Sequence, residues 1–267
     1  MRLLFIRHGE PDYVHDSLTA RGKLEAAALA DLSPSLHIDR AYVSPLGRAQ
    51  ETASYTLRKL GMDAQTLDWL QEFPTRIDSA LVAPETGIPE LIGSFRPYYR
   101  EDGSPRERVA WDLYPAWMLS RSEYYDRAAW KDSAVVRHTD FLQDHTYVVQ
   151  QFDAFLAAHG YVRNDAAGTG IYHAERPNAE TIALFCHFGI TSVLLAHLWG
   201  VSPFIPLHAL CMAPSSVTEV VTEEREKGIA IFRALRIGDV SHLTRAGLEP
   251  SFYARFCELY TNTEERH

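Results

Sequence analysis

Cysteine is scarce in this chain: Cys186, Cys211 and Cys257 are the only three among 267 residues. Thiols so few and so scattered cannot build a disulfide framework, and their spacing makes no zinc pattern. They read as reduced, mostly buried side chains of a cytoplasmic protein. No cysteine has an arginine six residues later, which excludes the usual cysteine-phosphatase loop. No Gly-x-x-x-x-Gly-Lys-Ser/Thr phosphate loop occurs, which argues against nucleoside triphosphate use. Long apolar runs are also missing, so neither a signal h-region nor a bilayer span is expected. Basic charge is in deficit, with 26 Lys and Arg against 35 Asp and Glu and a formal charge of −9. That balance excludes a general nucleic-acid or anionic-membrane binder. It leaves room for a small anionic substrate, because a few arginines focused in a cleft dominate the local field. The histidines His15, His138, His145 and His208 make no ligand spacing, so neither a metal nor another cofactor is expected.

What is present suits a large buried core. Apolar residues make up 46% of the chain, enough for one large domain or a domain with an elaborate insertion. Leu3 to Ile6 predicts a buried strand, and Thr19 caps a helix through Leu24, Ala27, Ala28 and Leu32. Ala41 to Val43 predicts a second strand, followed by a helix that starts at Gly47 or Arg48 and stops at Gly61. From His145 to His159 the apolar residues Val148, Val149, Phe152, Phe155 and Leu156 share one helical face, stopped by Gly160. Thr181 to Phe185 predicts a continuous apolar strand, and Thr191 to Trp199 a helix ended by Gly200. Val217–Val221 and Ile229–Phe232, around a charged turn from Glu223 to Gly228, form a hairpin signal, which gives the sheet an antiparallel edge.

Phe73 to Asp144 fits neither periodicity, and a span of that length is expected to be a functional insertion. It is rich in proline and aromatics, among them Phe95, Tyr98, Tyr99, Trp111, Tyr114, Trp117, Tyr124, Tyr125 and Trp130. It also carries Arg76, Arg96, Arg100, Arg106 and Arg108. The aromatics suit a satellite core and a substrate wall equally.

Two histidines stand directly after apolar runs: Arg7-His8-Gly9-Glu10 after Leu3–Ile6, and Cys186-His187-Phe188-Gly189 after Ile182–Phe185. Ligands of open α/β sheets bind beyond the carboxyl ends of the strands, so both histidines fall where such a fold places its chemistry. Between them, Ser44-Pro45-Leu46-Gly47-Arg48-Ala49-Gln50-Glu51-Thr52 forms a strand-to-helix junction with a further arginine. Two histidines and two arginines on three strand ends suggest a phosphate site. Glu10, before Pro11, reads as shaping its loop or lining the pocket mouth, and Thr19 as a cap rather than a substrate contact.

Together these three motifs resemble the histidine phosphatase superfamily, and more closely its phosphoglycerate mutase-like branch. The resemblance covers residues 1 to about 72 and about 145 to 240. It implies a three-layer α/β/α fold with a mostly parallel mixed sheet, residues 1–267 forming a single domain in which 73–144 is an inserted cap segment. It implies metal-independent hydrolysis of a small phosphomonoester, with His8 as nucleophile and carrier of a phosphohistidine. Arg7, Arg48 and His187 would hold the phosphoryl oxygens. The proton donor points to Glu72 in Leu70-Gln71-Glu72, with Glu85 in reserve, and Phe188 stands where the acid-phosphatase branch has an aspartate. Two alternatives remain: a mutase that returns the phosphoryl group to a second hydroxyl, and a catalytically silent phospho-ligand binder. Neither nucleic acid nor membrane is an expected partner, whereas a homodimer through the aromatic segment stays open.

Overall fold

The computed structural model describes residues 1–78, 107–113, 118, 120–167 and 169–251. Its strands are β1 (Arg2–Arg7), β2 (Pro11–Asp12), β3 (Ser17–Leu18), β4 (Arg40–Val43), β5 (Ala64–Thr66), β6 (Arg76–Asp78), β7 (Glu107–Val109), β8 (Tyr161–Arg163), β9 (Tyr172–Ala174), β10 (Thr181–Cys186), β11 (Val217–Glu226) and β12 (Ile229–Asp239). The described α-helices are α1 (Ala20–Leu32), α2 (Gly47–Leu60), α3 (Ala134–Arg137), α4 (Phe141–Ala158), α5 (Phe188–Trp199), α6 (Phe204–Ala209) and α7 (Ser241–Arg245). The chain divides into two compact units. One comprises Met1–Glu72, Asp153–Thr191 and Cys211–His267, and the other Phe73–Phe152 and Ser192–Leu210.

The first unit is built on an eight-stranded mixed sheet of order β5-β4-β10-β1-β11-β12-β9-β8. Strands β5, β4, β10 and β1 run parallel, and β11 joins β1 antiparallel. Leu3, Leu4, Phe5 and Ile6 are all at most 1% exposed, because both faces of β1 are covered; this is why the segment reads as an unbroken apolar run. On one face Leu4, Ile6, Ala41, Val43, Ala183 and Phe185 pack with Leu29 of α1 and with Ala49 and Ala53 of α2. Thr19 caps α1 by accepting from Gly22 N–H at 3.0 Å, and Gly61 closes α2 at φ 63°, both as the sequence predicts.

Three boundaries differ from expectation, the first being α4, which starts at Phe141 rather than His145. Helix α5 starts at Phe188 rather than Thr191, because the Thr191 hydroxyl donates back to the His187 carbonyl at 2.7 Å and so sits inside the helix. The hairpin strands run on to Glu226 and resume at Ile229, leaving a turn of Lys227 and Gly228 alone. The charged residues expected in the turn belong to the strand, where Glu223 pairs with Arg225 and Arg233.

In the second unit β6 and β7 pair antiparallel. Phe141 stacks on Phe204 at 4.8 Å and meets Phe73 edge-on at 5.1 Å, while Tyr124 packs on Phe204 at 4.9 Å and Trp130 on Phe141 at 5.8 Å. Tyr124 and Trp130 therefore serve a satellite core; each such buried ring stabilises by roughly 1.5–3 kcal/mol through area removed from water. Phe95, Tyr98, Tyr99, Tyr114 and Trp117 lie outside the described residues. No helix among the described residues is long and apolar enough to cross a membrane.

Behind β1, Ser215 adopts φ 59°, donates its N–H to the His8 carbonyl at 2.9 Å, and bonds its hydroxyl to His242 Nε2 at 2.8 Å. Burial pushes His242 down to about 4, opposed weakly by Asp239. The unfolded chain binds this proton from about pH 6.5 downward while the folded chain resists it to about pH 4. Stability is therefore expected to fall as pH drops through that window, by on the order of a few kcal/mol from this residue. Thermal unfolding midpoints from pH 7 to 4 check this: His242→Gln should flatten the dependence, and an unchanged slope would contradict it.

Candidate active site

Strand register assembles the site. Arg7 lies opposite Cys186, and Phe185 opposite Val43, so β1, β10 and β4 end side by side. His8, His187 and Ser44 are the first residues beyond these ends. His8 N–H donates to the Cys186 carbonyl at 3.0 Å, and Ser44 N–H to the Phe185 carbonyl at 2.9 Å, which continues the ladder one step past the strands. The two imidazole centroids stand 5.0 Å apart at 58°, and both rings are essentially inaccessible to water.

The close turn after His8 depends on glycine. A side chain at Gly9 would meet the Gly22 carbonyl oxygen at 2.7 Å, too near for any Cβ, and Gly9 N–H donates to the Thr52 hydroxyl at 3.0 Å. The start of α1 can therefore press against the loop and hold His8 in place.

Hydrogen bonding determines which ring nitrogens are available. His8 Nδ1 lies 2.7 Å from the Gly9 carbonyl oxygen, which can only accept, so Nδ1 carries the proton and Nε2 keeps its lone pair. His187 Nε2 lies 2.8 Å from the Ser44 hydroxyl, which already accepts from Leu46 N–H at 3.2 Å. The arrangement that uses both the proton and a lone pair of the hydroxyl has Ser44 donating to Nε2, which leaves the proton on His187 Nδ1. That nitrogen is buried and has no hydrogen-bond partner among the described residues.

Both imidazoles are held well below their ordinary range. For His8 the causes are burial, then Arg7 and Arg48; for His187 they are burial, then His8, Arg48 and Arg7. Neutral rings under the influence of two buried guanidiniums suit an anion. Arg7 donates to the Met212 carbonyl at 2.6 Å and lies against the Phe188 ring at 5.9 Å. Burial lowers the Arg7 guanidinium, and Tyr13, Glu72, Cys211 and Glu25 draw it back up. Arg48 pairs with the Asp16 carboxylate at 2.5 Å, whose other oxygen accepts from Gly47 N–H at 2.6 Å. Glu72 influences Arg7 and accepts from Ile190 N–H, in the first turn of α5, at 3.0 Å.

A family model described as the histidine phosphatase superfamily (branch 1) matches residues 3–76. The matched segment holds Arg7, His8, Arg48 and Glu72. No curated protein sequence matches the chain. Among solved structures, a phosphoserine phosphatase from Entamoeba histolytica in complex with 3-phosphoglyceric acid is similar at TM-score 0.53 and 15% identity, covering 91% of this chain and 98% of that one. A mycobacterial glucosyl-3-phosphoglycerate phosphatase is similar at TM-score 0.51 and 17% identity, covering 88% and 97%. A structure titled mycobacterial hydrolase 2 reaches TM-score 0.53 at 17% identity, covering 92% and 96%. At these identities the likeness is one of fold.

The five site residues expected from sequence, Arg7, His8, Arg48, Glu72 and His187, all fall in the first unit, around the ends of β1, β10 and β4. Glu85, the reserve donor, lies outside the described residues. Glu10 is engaged in shaping its loop: its carboxylate accepts from Thr19 Oγ1 at 2.9 Å and from Ser251 Oγ at 2.5 Å. Among the described residues no group of three or more His, Cys, Asp or Glu side chains could hold a metal ion.

Sequence reasoning passed over Ser44, Asp16 and Tyr13. The signal for Ser44 was its place on the third strand end beside the two histidines. Asp16 and Tyr13 carried no signal, because only the folded turn brings them to Arg48. Nitrogen-15 shifts at pH 6.5 are expected to report neutral Nδ1–H tautomers for His8 and His187. Ser44→Ala should perturb the His187 tautomer alone, and an Nε2–H His8 would contradict the geometry.

Proposed function

We propose that this protein hydrolyses a phosphomonoester through a phosphohistidine formed on His8 Nε2, without a metal ion. The observation that carries the reading is the commitment of His8 Nδ1 to the Gly9 carbonyl, which leaves Nε2 as the free nucleophilic nitrogen between two buried arginines and a second imidazole. A neutral imidazole attacks phosphorus near neutral pH and later serves as leaving group, which divides one hard displacement into two easier ones.

In the first step the Nε2 lone pair forms the N–P bond as the ester P–O bond breaks, and the leaving oxygen takes a proton from Glu72. In the second, Glu72 removes a proton from water as its oxygen attacks phosphorus, the N–P bond breaks, and the lone pair returns to Nε2. Arg7 and Arg48 bind the equatorial oxygens, since guanidinium forks match phosphate geometry, and His187 donates from Nδ1. These fixed donors supply the charge stabilisation on which phosphoryl transfer mainly depends. Two neutral imidazoles also limit the positive charge gathered at the site.

The full set of Arg7, His8, Arg48 and His187 in one pocket weighs against a silent binder. A mutase would need further fixed cations around a doubly phosphorylated species; Arg96, Arg100 and Arg106, which could supply them, lie outside the described residues.

Substrate labelled in its phosphoryl group is expected to leave an acid-labile, base-stable adduct. His8→Ala should abolish adduct and turnover, and chelation should leave turnover intact. Because His8 is lowered, turnover with an aryl phosphate, which needs little protonation, should not fall as pH drops through 6.5. A loss centred there, or a substantial residual rate in His8→Ala, would sink the mechanism. Glu72→Gln is expected to slow alkyl phosphates roughly 10²–10⁴-fold, the usual scale of general acid catalysis, and aryl phosphates far less. Equal losses for both classes would assign the proton to another group.

A further inference from the structure

We infer that Tyr13 is the specificity wall of the phosphate pocket and that it selects an uncharged, ring-bearing leaving group; this rests on the phosphatase reading above. Tyr13 sits in the short connection between β2 and β3. The Arg48 guanidinium carbon lies 5.4 Å from the centroid of its ring, and Tyr13 is the foremost influence drawing Arg7 back up. One aromatic side chain thus borders a cation that would grip the phosphoryl oxygens. It nevertheless keeps 57% of its surface exposed, and Val14 beside it keeps 87%.

The connection is braced at both ends. Asp12 Oδ1 accepts from Val14 N–H at 3.0 Å and His15 N–H at 3.3 Å, while Asp12 Oδ2 meets His15 Nδ1 at 2.7 Å. On the other side Asp16, at φ 46°, is bound to Gly47 N–H and Arg48. Tyr13 is therefore presented by a pinned turn, and ordering a substrate against it costs little additional conformational entropy. One part of the ring contacts Arg48 as a cation–π partner, and the exposed remainder offers a flat apolar surface at the rim. The flanking carboxylates of Asp12 and Asp16 are partly exposed and disfavour a leaving group with its own negative charge. Apolar ring contact and acidic flanks together favour a neutral aromatic alcohol over a carboxylate-bearing one.

Benzyl and n-propyl phosphate release alcohols of similar acidity, so their ratio of kcat/KM isolates contact beyond phosphorus. Wild type is expected to favour the benzyl ester and to turn over 3-phosphoglycerate poorly. Tyr13→Ala and Tyr13→Leu should lower the benzyl-to-propyl ratio by roughly five- to tenfold, the usual range for an aromatic pair, mainly through KM. Tyr13→Phe should retain the ratio, because the ring rather than the hydroxyl makes the contact. An unchanged ratio in Tyr13→Ala, or an equal loss in Tyr13→Phe, would overturn the inference. Calorimetry of benzyl- and propylphosphonate with folded His8→Ala separates this claim from the proposed hydrolysis. A benzyl preference that depends on Tyr13 in binding supports the wall even if no ester is turned over. Equal affinities, or no binding of either phosphonate, overturn it whatever the turnover.

Discussion

The in-register ending of three parallel strands is the constraint on which the rest of this molecule depends. Because β1, β10 and β4 stop together, the residues one step beyond them are delivered to the same spot, and the two imidazoles come to lie 5.0 Å apart. Parallel pairing requires crossover helices that cover both faces of the sheet, and that cover keeps the strand ends dry. Dryness then sets the electrostatics: it keeps both histidines neutral and strengthens every contact a bound anion would make.

Two guanidiniums buried around the same pair of imidazoles would be costly without compensation. Each is compensated from a different direction. Arg48 holds the Asp16 carboxylate of the β2–β3 turn and lies against the Tyr13 ring, whereas Arg7 is countered by Glu72 and donates to the Met212 carbonyl. The compensating groups are not inert, since Glu72 is also the proposed proton carrier and Tyr13 the proposed wall. Charge balance at the site and the proposed chemistry thus draw on the same side chains.

Precision comes from bonds that look like ordinary packing. The Gly9 carbonyl determines which nitrogen of His8 is free, and the Ser44 hydroxyl does the same for His187. Behind them Ser215, in a left-handed backbone conformation, bonds to the His8 carbonyl and to the buried His242. Such supporting contacts hold reacting groups to the sub-ångström tolerance that positioning catalysis requires.

The sequence by itself determined strands β1, β4 and β10, the helices that follow them, the β11–β12 hairpin and the residues at the strand ends. Continuous apolar runs, Thr19, Gly61 and the Arg7-His8-Gly9 motif are local signals, and local propensity decides them. Boundaries were harder where a side chain bonds to the backbone or to a neighbouring strand, as at Thr191 and in the charged arm of β11. Tertiary structure alone decided what crosses between segments: the Ser44 hydroxyl on His187, Glu72 on the first turn of α5, Asp16 and Tyr13 on Arg48, and His242 on Ser215. The reason is physical. Hydrogen-bond partnership and cation–π contact vary over a few ångströms in three dimensions, and residues such as Ser44 and His187, 143 positions apart, carry no mutual trace in a one-dimensional pattern.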